Sequence, residues 1–368
     1  MTQRERQLLR WIEEDPMISQ QDLADKAGIT RSSVAVHISN LMKKGYIAGK
    51  GYIVRSAPYA VVIGGVNMDI GGRSLSPLVE KDSNPGTVQI SLGGVGRNIA
   101  HNMSLLGMEV HLITAFGDDL AAQKITASCS ELGIDISHAL QVAGTATSTY
   151  LFIAGPDGNM ELALSDMSIY EHITPAFLSS SLPFLNNAQL IVIDTNLPEK
   201  TIEWIAENCR VPIFADPVST IKAEKLRGIL SRIHTLTANR LEAESLSGIP
   251  LTSRNNMERA ADVLLANGLQ RIFISLGADG VFAADRHSRC LLPSLPGKVV
   301  NTTGCGDSFM AAVAWAYPEG TSLENTARAG LAAASITMES EETINPLLCA
   351  AQVHQRSAAA RAQFKYPR

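Results

Sequence analysis

The feature that most limits the possible folds is an alternation of short apolar runs with helical stretches after residue 58. The strand-like runs are residues 60–64, 110–115, 190–194, 211–216, 235–236 and 271–276. This alternation predicts a parallel sheet covered by helices on both faces, with a ligand site at the carboxyl ends of the strands. The chain of 368 residues is long enough for such an α/β domain and a second, small module.

The small module is expected in the first 55 residues. An apolar stripe from Leu8 to Ile12 predicts a helix that ends near Pro16, and residues 19–24 open a second helix. Thr30 is typical of a helix N-cap, and the third helix follows it. This order predicts a helix-turn-helix.

Two strand-like runs, residues 46–48 and 52–54, flank the turn signal 49–51, as in the wing of winged-helix DNA-binding domains. Residues 1–55 hold nine Lys and Arg against six Asp and Glu, whereas the remaining residues hold 22 against 30. The side chains predicted to contact DNA are Arg31, Ser32, Ser33, His37, Lys43, Lys44 and Lys50. The alternative is a helical module with a solvated basic face that regulates or dimerises.

The strongest chemical signal is the segment 299–310, Val-Val-Asn-Thr-Thr-Gly-Cys-Gly-Asp-Ser-Phe-Met, which joins an apolar run to a helix. Gly304 and Gly306 let backbone N–H groups converge on an anion at a helix N-terminus. A carboxylate beside a phosphate is repelled unless it has a role, and Asp307 could accept a proton from an attacking hydroxyl. The segment therefore suggests phosphoryl transfer, and the alternative is an ordinary turn in which Thr303 or Asp307 caps the helix.

A second glycine run lies far upstream at residues 91–100, Ser-Leu-Gly-Gly-Val-Gly-Arg-Asn-Ile-Ala, before a helical pattern. Together, Gly-Gly-x-Gly-x-Asn and Thr-x-Gly-x-Gly-Asp resemble the paired signatures of the ribokinase-like, PfkB-type carbohydrate kinase family. These kinases phosphorylate sugar or nucleoside hydroxyls with ATP. The resemblance extends from about residue 59 to the end. It implies a ribokinase-like parallel sheet sandwiched by helices, with a small β lid.

The predicted domains are therefore a winged helix-turn-helix domain at 1–55, a linker at 56–58 and a kinase domain at 59–368. Two polar, turn-rich insertions, near 71–90 and 147–169, correspond to the lid. A lid that closes over the substrate would exclude water and so prevent hydrolysis of the phosphoryl donor.

Residues at the end of the first body strand are predicted to bind the substrate. Asn67 and Asp69 have the spacing that directs both side chains to the same side of a strand. The resemblance implies that Asp69 and Asn98 bind sugar hydroxyls, with Gly93 and Gly94 allowing close approach. The alternative for Asp69 is a carboxylate that caps a turn.

Two later segments are predicted to bind the nucleotide. Asn239 and Glu242 match the family motif Asn-x-x-Glu, which implies contacts to nucleotide phosphates and to hydrated magnesium, with Glu242 acting through water. Gly277 and Gly280 match the segment beside ATP, and Thr302 belongs to the same site. The alternatives are a helix cap with a surface Glu, and an ordinary glycine turn.

The implied mechanism uses Asp307 as the general base for a primary hydroxyl held by Asp69 and Asn98. The hydroxyl then attacks the γ-phosphorus of magnesium-ATP in line. Backbone amides of residues 304–306, including that of Cys305, would stabilise the transferring charge.

Two positions depart from the family pattern. Asn301 stands where the family commonly has an Asp that helps to bind a monovalent cation, so activation by potassium is in doubt, although backbone carbonyls could still coordinate one. Cys305 replaces the usual Ala, and its thiol is expected to fill space, because no basic partner is apparent nearby.

Several segments resemble the pseudouridine kinase branch of this family, namely residues 82–86, 93–100, 215–219 and 239–244. Asn301 fits the same branch. The implied product is the 5′-phosphate of a ribosyl base, with Thr149 and Asp166 contacting the base, although Asp166 could equally be a solvated turn carboxylate. The alternatives are another nucleoside, ribose or fructose as substrate, or a transcription regulator that senses such a ligand without phosphorylating it.

The sequence also bears on location and assembly. Its five cysteines are scattered without metal-type spacing, and neither a signal peptide nor an apolar run of membrane-spanning length is apparent. These features predict a cytoplasmic protein with no membrane partner. Lids can pair in the family, and winged-helix modules often bind as dimers, which suggests a homodimer.

Overall fold

The computed structural model describes residues 1–47 and 58–363, with side chains up to residue 358. The chain divides into two compact units, Met1–Pro58 and Tyr59–Arg368. None of the described helices is long and apolar enough to cross a membrane.

The first unit contains three helices in the order that the sequence predicts. They are α1 (Gln3–Glu14), α2 (Gln20–Ala27) and α3 (Arg31–Lys43). Each helix begins at a side-chain cap, provided by Thr2, Ser19 and Thr30 in turn, and Gly28 ends α2 in the left-handed conformation. Apolar side chains of all three helices, among them Leu8, Leu23 and Leu41, form a buried core. The predicted turn at 49–51, Lys50 and the strand at 52–54 lie outside the described residues.

The second unit alternates strands and helices along most of its length. Its strands are β1 (Tyr59–Ile63), β2 (Asn67–Ser74), β3 (Gly86–Gly93), β4 (Glu109–Ile113), β5 (Ala115–Phe116), β6 (Leu140–Gln141), β7 (Thr149–Ala154), β8 (Met160–Asp166), β9 (Leu190–Asp194), β10 (Ile213–Asp216), β11 (Ile233–Asn239), β12 (Arg271–Ser275), β13 (Val281–Asp285) and β14 (Arg289–Leu292). Its helices are α4 (Val95–Leu105), α5 (Leu120–Glu131), α6 (Pro175–Ser179), α7 (Leu182–Asn187), α8 (Glu199–Asn208), α9 (Thr220–Ala223), α10 (Arg240–Ser247), α11 (Arg254–Ala266), α12 (Cys305–Ala316), α13 (Leu323–Thr337) and α14 (Ala350–Gln363). Short 3-10 segments occupy Ser168–His172, Glu224–Arg232 and Gly277–Asp279.

Eight strands form the main sheet in the order β14-β13-β12-β11-β10-β9-β1-β4. Neighbouring strands from β4 to β12 are parallel, which confirms the predicted architecture. β13 and β14 extend the sheet as an antiparallel edge, because a tight turn after β12 returns the chain at once. Every residue of β1 and β9 is buried, since apolar helices cover both faces of the sheet.

A second sheet has four strands in the order β3-β2-β7-β8. Both segments predicted as lid contribute to it, since its strands span residues 67–93 and 149–166. We call this the lid sheet. It begins four residues after β1 ends, so the chain runs directly from the main sheet into the lid sheet.

The junction between β1 and α4 depends on glycine. Gly94 has a φ of 99°, and a Cβ added to it would lie 2.5 Å from Cα of Val66 and 2.8 Å from the carbonyl carbon of Gly65. A Cβ on Gly96 would lie 2.8 Å from Cα of Gly64. The first turn of α4 therefore packs directly against backbone, which sets the position of Asn98, the fourth residue of this helix.

Replacing Gly94 should destabilise the protein more than replacing a glycine that has a positive φ but open space around its Cα. Gly94→Ala combines positive φ with backbone overlap, so we expect a loss of about 2–5 kcal/mol in the free energy of unfolding. Gly107→Ala is the control, because Gly107 has a φ of 86° but no atom within 4 Å of an added Cβ, and should cost about 1–2 kcal/mol. Urea denaturation measures both, and equal losses would contradict the packing argument.

Candidate active site

The buried carboxylate of Asp194 joins three loops at the carboxyl end of the main sheet. Asp194 is the last residue of β9 and is 1% exposed. Its Oδ2 accepts hydrogen bonds from the backbone N–H of Gly65 (2.7 Å) and Gly96 (2.8 Å), and Oδ1 accepts one from Asn196 (2.8 Å). Burial raises the pKa of this carboxyl although the three N–H groups oppose the shift. Asp194 was not among the predicted site residues, although a carboxylate that ends an apolar strand is a recognisable signal in the sequence.

The two glycine motifs meet through a single hydrogen bond. Asn98 on α4 donates from Nδ2 to Oδ2 of Asp307 on α12 at 2.8 Å. Oδ1 of Asn98 is buried and has no partner among the described residues. A buried acceptor without a donor is unusual in a folded protein, so a ligand hydroxyl could satisfy it.

Asp307 does not act as a helix cap. The N-cap of α12 is Gly304, with φ of 82° and no side-chain capping bond. Burial raises the pKa of Asp307 to about 7, the charges of Asp194 and Asp69 add to the rise, and the bond from Asn98 opposes it. Part of the Asp307 residue is nevertheless accessible. A carboxyl with this pKa can take up and release a proton near neutral pH.

Asn67 and Asp69 lie on one face of β2, as their spacing predicts. The Asn67 side-chain amide donates to the carboxylate of Asp69. Burial raises the pKa of Asp69 to about 6, while the bond from Asn67 and the charge of Arg97 lower it. A Cβ on Gly93 would overlap the Asp69 carboxylate, so glycine at 93 makes room for that side chain. Arg97, a buried residue that the sequence analysis did not single out, bonds the carbonyl of Leu92 and the hydroxyl of Ser128.

The start of α12 offers unpaired backbone donors. The N–H groups of Gly306 and Asp307 have no hydrogen-bond partner among the described residues, and an added Cβ on Gly306 would meet nothing within 4 Å. Free N–H groups at a helix N-terminus form an anion site. The thiol of Cys305 instead donates to the carbonyl of Ala334 at 3.6 Å, and burial raises its pKa to about 11, which fits a filling role.

Asn239 and Glu242 form a capping box at the start of α10. The Asn239 side chain accepts from the Glu242 N–H at 3.0 Å, and Oε2 of Glu242 accepts from the Asn239 N–H at 2.8 Å. The capping alternative is therefore realised, but Glu242 is buried rather than on the surface, and burial raises its pKa.

Asp216, at the end of β10, adds another carboxyl to this edge of the sheet. Burial raises its pKa well above the ordinary value, and the charges of Asp307, Glu242 and Asp194 raise it further. Such crowding favours a bound cation. Within residues 1–47 and 58–358, no three Asp, Glu, His or Cys side chains are close enough to ligate a metal together. The neighbouring carboxyl groups of Asp216, Glu242 and Asp194 fit hydrated magnesium, which keeps its waters and needs few direct protein ligands.

The remaining predicted nucleotide residues lie in turns. A Cβ on Gly280, with a φ of 97°, would overlap the carbonyl oxygen of Leu292, and Gly277 has a φ of 63° in open space. Positive φ favours glycine at both positions, and at position 280 the nearby carbonyl also leaves no room for a side chain. Thr302 is exposed just before α12, and its carbonyl accepts from the N–H of Cys305 at 3.3 Å.

Strand register divides the lid sheet into two faces. Asp69 pairs with Ser91 on β3 and Tyr150 on β7, so these side chains share one face. Phe152 is on that face as well, with its ring over Gly71, and its centroid lies 6.0 Å from that of Tyr150.

Thr149 and Asp166, predicted to contact the base, pair with each other on the opposite face of the lid sheet. The Asp166 carboxylate accepts from the N–H of Ser168 at 3.2 Å and from its hydroxyl at 2.7 Å, and these bonds lower its pKa. The register therefore favours Tyr150 and Phe152 over Thr149 and Asp166 for contacts beside Asp69.

The residues predicted to contact DNA differ in their surroundings. Arg31, Ser32 and Lys43 are exposed on α3, while Ser33 and His37 are half-buried. The side-chain nitrogen of Lys44 lies 2.7 Å from a carboxylate oxygen of the buried Glu5, whose pKa this contact lowers to about 2. Lys44 thus neutralises Glu5 at the start of α1. Lys50 lies outside the described residues.

The fold and the site together define a phosphotransferase with an alcohol group as acceptor. The model of the pfkB family carbohydrate kinases matches residues 57–349, and the chain belongs to this family. A model of winged helix-turn-helix DNA-binding domains matches residues 1–48.

Known proteins are similar in sequence to this chain over most of its length. An uncharacterized sugar kinase of Escherichia coli, YeiI, is 38% identical over 95% of this chain and 97% of its own length. The pseudouridine kinase of E. coli is 39% identical over 82% of this chain and 96% of its own. Among solved structures, an Arabidopsis thaliana ribokinase complexed with ribose and ATP has the same fold, with a TM-score of 0.74 at 23% identity over 82% of this chain and 99% of its own. The chain is therefore a sugar or nucleoside kinase.

Proposed function

We propose that this protein transfers the γ-phosphoryl group of ATP to the 5′-hydroxyl of a ribonucleoside, with pseudouridine as the preferred substrate. The observation that carries the proposal is the Asn98–Asp307 bond beside the unpaired Oδ1 of Asn98. The similarity to E. coli pseudouridine kinase supports the choice of substrate. The ribokinase complex supports ATP as the donor.

In the proposed reaction, Asp69 and Asn98 hold the ribose hydroxyls. The ionised Asp307 accepts the proton of the 5′-hydroxyl, whose oxygen attacks the γ-phosphorus while the bond to the bridging oxygen of ADP breaks. The free N–H groups of Gly306 and Asp307 stabilise the charge on the transferring group. Asn239 and Glu242 would hold hydrated magnesium, which supplies positive charge to the nucleotide phosphates.

The aromatic pair of the lid sheet supports a nucleoside rather than a free sugar. Tyr150 is directly beside Asp69 in the register, and Phe152 follows on the same face. A flat base attached to a ribose that Asp69 holds would be within reach of these rings. Stacking of a base on an aromatic side chain is worth about 1–3 kcal/mol, which a free sugar cannot gain in the same way.

Two further proposals concern location and assembly. Because ATP is the donor, we infer that the protein acts in the cytoplasm.

We also infer a homodimer, because the face of the lid sheet opposite Asp69 exposes Val88, Ile90, Leu162 and Leu164. A second copy would cover this aliphatic face, and a solution mass equal to one chain would contradict the dimer.

Asp307→Asn should lower kcat for pseudouridine by about 10²–10⁴-fold while ATP and pseudouridine still bind. The wild-type kcat/KM should fall as pH decreases through about 7, because Asp307 becomes protonated there and a protonated carboxyl cannot accept the hydroxyl proton. ADP release measures turnover, and calorimetry measures binding. Glu131→Gln on the exposed end of α5 is the control and should behave as wild type. Near-normal turnover of Asp307→Asn would refute the assignment.

Tyr150→Ala should lower kcat/KM for pseudouridine by about 5–100-fold and leave kcat/KM for ribose nearly unchanged, because only the nucleoside loses a stacking contact. Leu151→Ala is the matched control, since Leu151 is the next residue and lies on the other face of the lid sheet. It should change both substrates alike. An equal loss of kcat/KM for pseudouridine and ribose with Tyr150→Ala would show that the base does not stack on Tyr150.

We propose DNA binding as a second function of the N-terminal unit, because a DNA-binding family model matches it and α3 exposes Arg31 and Lys43. The full chain should bind a random-sequence DNA duplex at low salt in fluorescence anisotropy. Combining Arg31→Ala with Lys43→Ala should weaken binding and lower the salt slope by about 1–2 units. Arg10→Ala, at an exposed site on α1 paired with Glu14, is the control. No binding at low salt would reject this function.

A further inference from the structure

The segment after α13 presents carbonyl oxygens to the loop that leads into α12. The carbonyl of Met338 accepts from the N–H groups of Val300 (2.8 Å) and Asn301 (3.2 Å). An added Cβ on Gly304 would overlap the carbonyl oxygen of Thr343. Residues 338–343 and 300–304 therefore run in close contact, and their separation affects where α12 begins.

The side-chain amide of Asn301 bridges these two segments. Its Nδ2 donates to the carbonyl of Glu341 at 3.0 Å, and its Oδ1 accepts from the N–H of Thr303 at 2.9 Å. The N–H of Thr303 needs an acceptor, which determines the direction of the amide and turns the NH₂ group towards Glu341. Both ends of the amide are thus used.

A carboxylate at position 301 could not make the same bridge. It has no proton to donate, so it would face the carbonyl oxygen of Glu341 with repulsion unless a cation lay between them. It would also add a negative charge next to a segment that already contains Glu339, Glu341 and Glu342. The amide supplies its own positive end, and the residues present do not fit a required monovalent cation at this place.

An ion pair with α14 also holds the segment 338–343. Arg356 on α14 pairs with Glu339 through two hydrogen bonds of 2.6 and 3.1 Å, which lowers the pKa of Glu339. The segment is consequently tied to α14 by an ion pair and to the loop before α12 by neutral hydrogen bonds.

We propose that the Asn301 amide takes the place of a monovalent cation in holding the start of α12, so that phosphoryl transfer by this protein does not require potassium. Asn301 is a positioning residue that acts on Asp307 through the first turn of α12. The activity part of this inference rests on the proposed kinase function.

The test compares potassium chloride with choline chloride at equal ionic strength. ADP is measured directly by chromatography, because a coupling enzyme could itself respond to potassium. We expect the wild-type rate to change less than about twofold, whereas Asn301→Asp should be weak in choline and gain about tenfold or more in potassium. Asn301→Ala should lose activity in both salts, because it has neither an amide nor a carboxylate.

Asn186→Asp is the matched control. Asn186 makes the same kind of bridge remote from the site, since its Oδ1 accepts from the Arg210 N–H at 2.6 Å and its Nδ2 donates to the Asn208 carbonyl at 3.4 Å. Its conversion to Asp should not create a potassium response.

Thermal unfolding without substrate separates this inference from the proposed kinase function. Potassium should raise the Tm of Asn301→Asp by a few degrees relative to choline, through selective binding to the folded state, and should leave the wild-type Tm unchanged. A wild-type rate or Tm that rises specifically with potassium would overturn the inference, as would an Asn301→Asp protein that ignores the ion. The wild-type measurements decide the matter even if the variants do not fold.

Discussion

The site depends on one buried side chain, the carboxyl group of Asp194, and on the backbone N–H groups that donate hydrogen bonds to it. Its bonds to Gly65 and Gly96 draw the end of β1 to the start of α4, where no Cβ can fit. Asn98 is two residues beyond Gly96 and therefore reaches Asp307 on α12. A carboxylate at a helix N-terminus is also favourable because the helix dipole is positive there.

Several carboxyl groups with raised pKa values lie near the carboxyl end of the main sheet. Asp307, Asp69 and Asp216 all have raised pKa values, with burial as the largest cause. Burial, followed by the charges of Asp194 and Asp69, raises the pKa of Asp307 to about 7, and carboxyl groups this close together would also attract a cation. Asp194 and Asp216 lie next to each other because they end neighbouring parallel strands, β9 and β10.

The strand register of the lid sheet could not be predicted from the sequence pattern. The sequence predicts strand character near residues 147–169 and predicts Thr149 and Asp166 as contacts of the base. The register shows that these two residues lie on the face opposite Asp69, whereas Tyr150 lies beside Asp69. A shift of one residue moves every side chain of a strand to the other face, and the pairing partners that set the register lie far away in the chain. Family resemblance implies that Asn98 and Asp307 share one site, but only the tertiary structure shows the hydrogen bond between them, because no periodicity connects the two motifs.

The sequence by itself determined the features that depend on near neighbours in the chain. These are the alternating strands and helices, the cap at Thr30, and the glycine turn before Asp307. Only the tertiary structure decided the role of Asp194, the pKa of Asp307 and the amide bridge of Asn301. Turns and caps follow from local backbone conformation, whereas burial and electrostatic interactions arise between elements that folding brings together from distant parts of the chain.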